Sequence, residues 1–165
     1  MTESLTGLYV VEIANEISGP YAGKLFVDLG AEVTKIEPPA GDPLRQWGPF
    51  PGGAPDPQRC GLFEYLNAGK RGATLDLAQP DDVAAARELI AQAHVLVENF
   101  APGTLEGWGL GVDGLREINP NLVLLSISGF GQLGPLRHRQ TTPLPSSSPR
   151  PNRCSLNKPS PRSSN

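Results

Sequence analysis

The chain has 165 residues, 38% of them hydrophobic, with 14 Lys and Arg against 17 Asp and Glu and a net charge of −3. That length suits one domain of ordinary size, and that charge balance supplies no general attraction to nucleic acid or an anionic membrane. The charge is unevenly spread: residues 1–117 hold all 17 acidic and 8 basic groups, whereas 118–165 hold 6 basic groups and no carboxylate side chain, which excludes carboxylate chemistry from the final third.

In chain order, Leu8-Tyr9-Val10-Val11-Glu12-Ile13 is a short β-rich run ending at Ser18-Gly19-Pro20. Pro20 suits the first turn of a helix, in which Leu25, Phe26 and Leu29 recur at helical spacing until Gly30 stops it. Glu32 to Glu37 alternates with period two, and Pro38-Pro39 ends that strand. Residues 38–61 hold seven prolines and five glycines and read as a long loop, of the kind that is either disordered or functional. Ala73 to Leu77 is a short strand candidate. The clearest helix follows, Asp81 to Ala93, with acidic residues in its first turn where the macrodipole favours them. His94 to Glu98 reads as a buried strand, and Leu122 to Ser128 is the most strand-like run of all.

Apolar strands separated by helices point to βαβ units: a Rossmann-like α/β fold whose parallel sheet is flanked by helices on both faces. The pattern is predicted over residues 1–137. From 138 to 165 the chain is basic and rich in Pro and Ser, and 140–165 contain no aromatic residue. Such a tail buries too little apolar surface to offset its ordering entropy and is expected to be disordered.

Several functional classes drop out. No run of about 18 apolar residues marks a membrane span. The N-terminus lacks the basic region of a signal peptide and carries Glu3, Glu12 and Glu16. Cys60 and Cys154 lack metal-ligand spacing, so no metal is expected; they read as free thiols in a reducing cytoplasm. Ser126 and Ser128 lack the context of a nucleophile elbow. His94 reads as a satisfied structural residue and His138 as exposed.

Gly129-Phe-Gly131-Gln-Leu-Gly134 matches a dinucleotide-binding fingerprint and follows a strand, but no acidic residue lies downstream and Pro135 interrupts any helix. A glycine turn is the better reading, as it is for Gly107-Trp-Gly109-Leu-Gly111. Lys70-Arg71 reads as a solvated basic pair, with phosphate contact as the alternative. Glu98-Asn99-Phe100-Ala101-Pro102-Gly103 closes a strand with hydrogen-bonding groups and an aromatic face, where open α/β sheets bind ligands, although by itself it reads as a loop anchored by one aromatic.

Taken in order, these blocks resemble one family. Gly7 to Glu12, Gly19-Pro20, Asp28-Leu-Gly-Ala-Glu-Val33, Lys35-Ile-Glu-Pro-Pro39, Gly41-Asp42 and Arg45 resemble the start of the family III CoA-transferases. That group includes carnitine, bile-acid and formyl-CoA transferases and α-methylacyl-CoA racemases. The likeness continues through Asn67-Ala-Gly-Lys-Arg71, Leu75-Asp-Leu77, Val97-Glu-Asn-Phe100, Pro102-Gly103, Asn119-Pro120 and Ser126-Ile-Ser-Gly-Phe-Gly-Gln132, and stops near Arg137.

The resemblance implies the N-terminal portion of a longer, homodimeric enzyme that moves coenzyme A between an acyl-CoA thioester and a carboxylic acid. A racemase fragment and a non-catalytic CoA-binding module are the alternatives. Contacts to coenzyme A are implied at Ile17 and Ser18, at Leu75, Asp76, Leu77 and Ala78, at Asn99, Phe100 and Ala101, and at Arg139. Neither a metal nor nucleic acid is implied. In such transferases a later Asp attacks the thioester carbonyl and forms an acyl-aspartyl anhydride. No Asp follows Asp113 here, so the chain is expected to be truncated and inactive alone, its tail an out-of-frame reading of the gene. Ala101 and Gly107 stand where the family often has cations, each loss weakening phosphate contact by about 1.5–3 kcal/mol.

Overall fold

The computed structural model describes residues 4–139. Five strands, β1 (Tyr9–Ile13), β2 (Glu32–Glu37), β3 (Arg71–Thr74), β4 (Val95–Glu98) and β5 (Val123–Ser126), form one sheet in the order β3-β2-β1-β4-β5. All four pairings are parallel, with Val10 in register with both Val33 and Val95. The expected α/β fold is present. The tail expected to be disordered lies outside the described residues from position 140 onward.

Helix α1 (Ser18–Asp28) joins β1 to β2. It starts two residues before Pro20, whose missing N–H costs nothing in the first turn. It ends on Gly30 at φ 95°, where the N–H groups of Gly30 and Ala31 turn back to the carbonyls of Val27 and Phe26. Between β2 and β3 lie a short 3-10 turn (Pro43–Gln46) and α2 (Gly61–Asn67), which packs on α1. The loop over 38–61 is well anchored in the core: Asp42, Leu44 and Cys60 are all buried. Helix α3 (Pro80–Gln92) carries Pro80 at its start and Asp81 and Asp82 in its first turn. Two short helices, α4 (Thr104–Gly107) and α5 (Val112–Ile118), lead to β5.

Period-two alternation divides the core into two layers. Val11, Ile13, Ile36 and Leu96 face Ala86, Ile90, Leu105 and Leu115 of the later helices. Val10, Val33, Val95 and Val97 face Ala22, Phe26 and Val27 of α1. The strand order reverses at β1: the chain moves from β1 to β2 and β3 on one side, then returns to β4 on the other. The crevice at the carboxyl ends of β1 and β4 is therefore the topological switch point, where sheets of this kind bind ligands.

Beyond one-residue shifts, the structure departs from the sequence expectation in three ways. The third strand spans Arg71–Thr74, so Leu75 to Leu77 form the turn entering α3. Helices α2, α4 and α5 were not evident in the local pattern; each is seven residues or fewer, too short to show a repeating apolar face. Leu122 to Ser128 contributes only an edge strand, with Val123 exposed.

Candidate functional site

Two cavities meet at the carboxyl ends of the strands. The first, about 310 Å³, is lined by Ile13, Asn15, Ile36, Pro38, Leu75, Asp76, Leu77, Ala78, Phe100 and Trp108. The second, about 460 Å³, is lined by Asn99, Phe100, Ala101, Pro102, Ser128, Gly129, Phe130, Arg137, His138 and Arg139. Phe100 belongs to both. Its ring and that of Trp108 pack in a T shape, with centroids 5.0 Å apart and planes at 82°, and its N–H donates to Glu98 Oε2 at 2.8 Å. Glu98 Oε1 accepts from Gln132 Nε2 at 3.0 Å, so this buried carboxylate ties the Phe100 turn to the glycine loop after β5.

The sequence candidates thus fall into two groups around Phe100. Leu75 to Ala78 line the first cavity, and Asn99, Ala101 and Arg139 line the second. Ile17 and Ser18 line neither. Ile17 is exposed at the start of α1, and Ser18 Oγ accepts from Asn99 Nδ2 at 3.0 Å. Asn99 also donates to the Asn15 carbonyl at 2.7 Å and accepts the Asn15 N–H at 2.9 Å. Its amide donors are therefore spent on the chain itself. Asp76 is similarly occupied, accepting from the Ala78 N–H at 3.1 Å while its own N–H donates to Asp82 at 2.7 Å.

The second cavity is the cationic one. Arg137 and Arg139 line it without any lining carboxylate, Arg139 lies 5.5 Å from the Phe130 ring centre, and Ser128 Oγ is buried without a hydrogen-bond partner among the described residues. Gly129 to Gly134 forms bends, followed by a turn over 135–138, with no helix opening on it.

Beneath the crevice lies a buried ionic quartet that sequence reasoning missed. Glu12 on β1 and Lys35 on β2 are register partners, and Lys35 Nζ reaches Glu12 Oε1 at 3.1 Å and Asp42 Oδ2 at 3.0 Å. The contact to Asp42 Oδ2 is an ion pair without hydrogen-bond alignment. Lys70 Nζ meets Glu12 Oε2 at 2.7 Å, the Pro20 carbonyl at 2.8 Å and Asn67 Oδ1 at 2.9 Å. Lys70 is thus not one half of a solvated pair: its side chain is 2% exposed, and only Arg71, at 72%, fits that reading. Burial pushes the Lys70 ammonium below its ordinary pKa, although the charge and hydrogen bond of Glu12 pull it up. The usable signal was Lys35, which shares a strand face with buried Val33.

Glu37 closes the same loop. It accepts from Arg45 Nε at 2.9 Å, Arg45 Nη2 at 3.0 Å and the Asp42 N–H at 3.0 Å. Burial is the largest single influence on it and opposes ionisation, but those hydrogen bonds and the charges of Arg45 and Lys35 together hold its carboxyl below the usual range. His94 is satisfied through its backbone and Nδ1, which accepts the Tyr9 N–H at 2.9 Å, yet its side chain is exposed rather than buried in the strand. His138 is exposed.

Among the described residues there is no cluster of three metal-ligating side chains, and no helix is long and apolar enough to cross a membrane.

The sequence profile of CoA-transferase family III matches residues 5–143. Succinyl-CoA–D-citramalate CoA-transferase of Chloroflexus aurantiacus is 41% identical over 138 residues, covering 82% of this chain and 33% of that protein. Succinate–glutarate CoA-transferase of Agrobacterium fabrum is 41% identical over 134 residues, covering 79% and 34%. A crystal structure of a CAIB/BAIF family protein from Brucella suis superposes with a TM-score of 0.76 at 40% identity, covering 84% of this chain and 37% of that one. The chain spans about a third of the length of these relatives. With the profile matched along most of the chain and the sheet superposed on a solved relative, the protein belongs to CoA-transferase family III.

Proposed function

We propose that this chain carries the coenzyme A-holding part of an enzyme that transfers CoA between an acyl-CoA thioester and a carboxylic acid, working in the cytoplasm as a homodimer when whole. The observation that carries this reading is Phe100, placed at the switch point between a mainly apolar cavity and a cationic one. A CoA thioester has matching parts. Its phosphates suit the Arg137 and Arg139 side, its purine suits an aromatic face, and its uncharged arm suits the cavity bounded by Ile13, Ile36, Leu75 and Trp108. Relatives named for succinyl-CoA, citramalate, glutarate and oxalate support a small dicarboxylate as one of the exchanging acids. The unpaired, buried Cys60 is compatible with a reducing compartment.

The implied acyl transfer needs an aspartate nucleophile from a later segment, and this sequence has no Asp after Asp113 and no carboxylate side chain after Glu117. The 165-residue chain should therefore bind CoA without transferring it. Calorimetric titration tests the reading. Micromolar binding is expected for CoA, weakened about tenfold by Arg139→Ala through loss of a charged hydrogen bond. Absence of binding heat at millimolar CoA would overturn the assignment, and CoA transfer by the purified chain would overturn the inactivity.

A further inference from the structure

The turn after β1 runs through Ala14, Asn15 and Glu16, and four of its backbone groups are claimed by side chains from distant parts of the chain. Lys35 Nζ donates to the Ala14 carbonyl. Asn99 takes both the N–H and the carbonyl of Asn15. Asp42 Oδ1 accepts the Glu16 N–H at 2.9 Å and the Leu44 N–H at 2.9 Å. Glu16 is the one non-glycine residue with positive φ among the described residues, at 60°. A side chain disfavours that conformation, and such a residue persists only where its surroundings over-determine it. The turn borders the first cavity through Asn15 and delivers the chain to Ile17 and Ser18.

We infer that Asp42, held by Lys35, is a positioning residue that keeps the Ala14–Glu16 turn in its binding shape. This rests on the reading of the crevice as a CoA site. Asp42 lies 26 residues from Glu16 in sequence, in the proline-rich loop after β2, and is 1% exposed. It touches neither cavity. Its effect on binding passes through the turn: without the Oδ1 acceptor, the Glu16 N–H loses its buried partner and the positive φ loses a restraint. Lys35 neutralises Asp42 and bonds the same turn at Ala14, so one ammonium joins the strut to the turn.

The experiment is CoA titration of the full 165-residue chain by calorimetry, with thermal unfolding as a check on folding. Asp42→Ala should weaken binding at least tenfold in a chain that still unfolds cooperatively. Asp42→Asn, which keeps an oxygen acceptor for the Glu16 and Leu44 N–H groups, should recover binding to within about threefold. Adding Glu16→Gly to Asp42→Ala should also recover part of the affinity, because glycine adopts positive φ without strain. A role confined to charge balance in the core predicts neither rescue. Should Asp42→Ala fail to fold, Glu16→Val addresses the turn directly: it leaves the strut intact, disfavours φ 60°, and should weaken binding at least threefold. Unchanged affinity in folded Asp42→Ala, or in Glu16→Val where Asp42→Ala does not fold, would overturn the inference. Absence of CoA binding by the unsubstituted chain would instead remove the site reading, and this inference with it.

Discussion

Lys70 and Glu12 show how one residue's role depends on its depth. An exposed Lys–Glu pair contributes little to stability, but this pair has side chains 2% and 0% exposed, and each member is desolvated. Lys70→Met leaves Glu12 Oε2 without its 2.7 Å partner and should cost about 3–5 kcal/mol, read from urea unfolding. Pairing Lys70→Met with Glu12→Gln should cost less than the sum of the single changes, because Lys35 then faces Asp42 alone and not two buried carboxylates. Additive losses would show that the two groups do not interact. Asn99 is decided by geometry in the same way. Its amide lay in a motif suited to ligand binding, yet its donors bridge to the Asn15 carbonyl and Ser18 Oγ, 84 and 81 residues away in sequence. Residue type suggested a polar contact; only the packed position showed which partner takes it.

At the scale of elements, α1 is seated by its glycines. A Cβ at Gly23 would lie 1.9 Å from Glu12 Oε2, and one at Gly19 would lie 2.2 Å from the Ala14 Cβ. These two positions, one helical turn apart, let the helix approach β1 and its buried carboxylate. Intrinsic propensity favours Gly→Ala in a helix by about 1 kcal/mol, so the sign of the effect is informative. Gly23→Ala should destabilise by at least about 1 kcal/mol through overpacking, measured by urea unfolding. Stabilisation would mean that α1 does not sit against Glu12. The order of the longer elements was legible because their periodicity is local: β2 runs over Glu32–Glu37 as expected, and α3 is displaced by only one residue. The short helices α2, α4 and α5 were not, since seven residues or fewer present too few turns for a pattern.

Over the whole molecule, the titration of Glu37 and Lys70 sets a pH dependence. Glu37 is held below its ordinary value of 4.5 in the folded chain. Its contribution is present above that value and is lost as pH falls through the lower folded value. Lys70 is depressed below 10.5, so between its folded value and 10.5 the unfolded chain binds more protons and stability rises with pH. Unfolding free energies measured across pH should show both limbs. Glu37→Gln should flatten the acid limb and Lys70→Met the alkaline one; unchanged slopes would contradict the assigned causes.

Read alone, the sequence determined the alternation of strand and helix, the two-sided burial of the parallel strands, and the family likeness carried by short ordered blocks. Each of these depends on neighbours within a few residues along the chain. The tertiary structure decided which distant groups meet. It placed Leu75 to Ala78 beside Phe100, buried Lys70 against Glu12, and brought Asp42 to the turn after β1. It also gave a physical meaning to the uneven charge of the chain. Three of the acidic groups in its first 117 residues, Glu12, Asp42 and Glu98, lie inside the fold holding lysines and turns, while Arg137 and Arg139 from the basic remainder line a cavity with no lining carboxylate. Strand register and crossover set those distances, and neither is a local property of sequence.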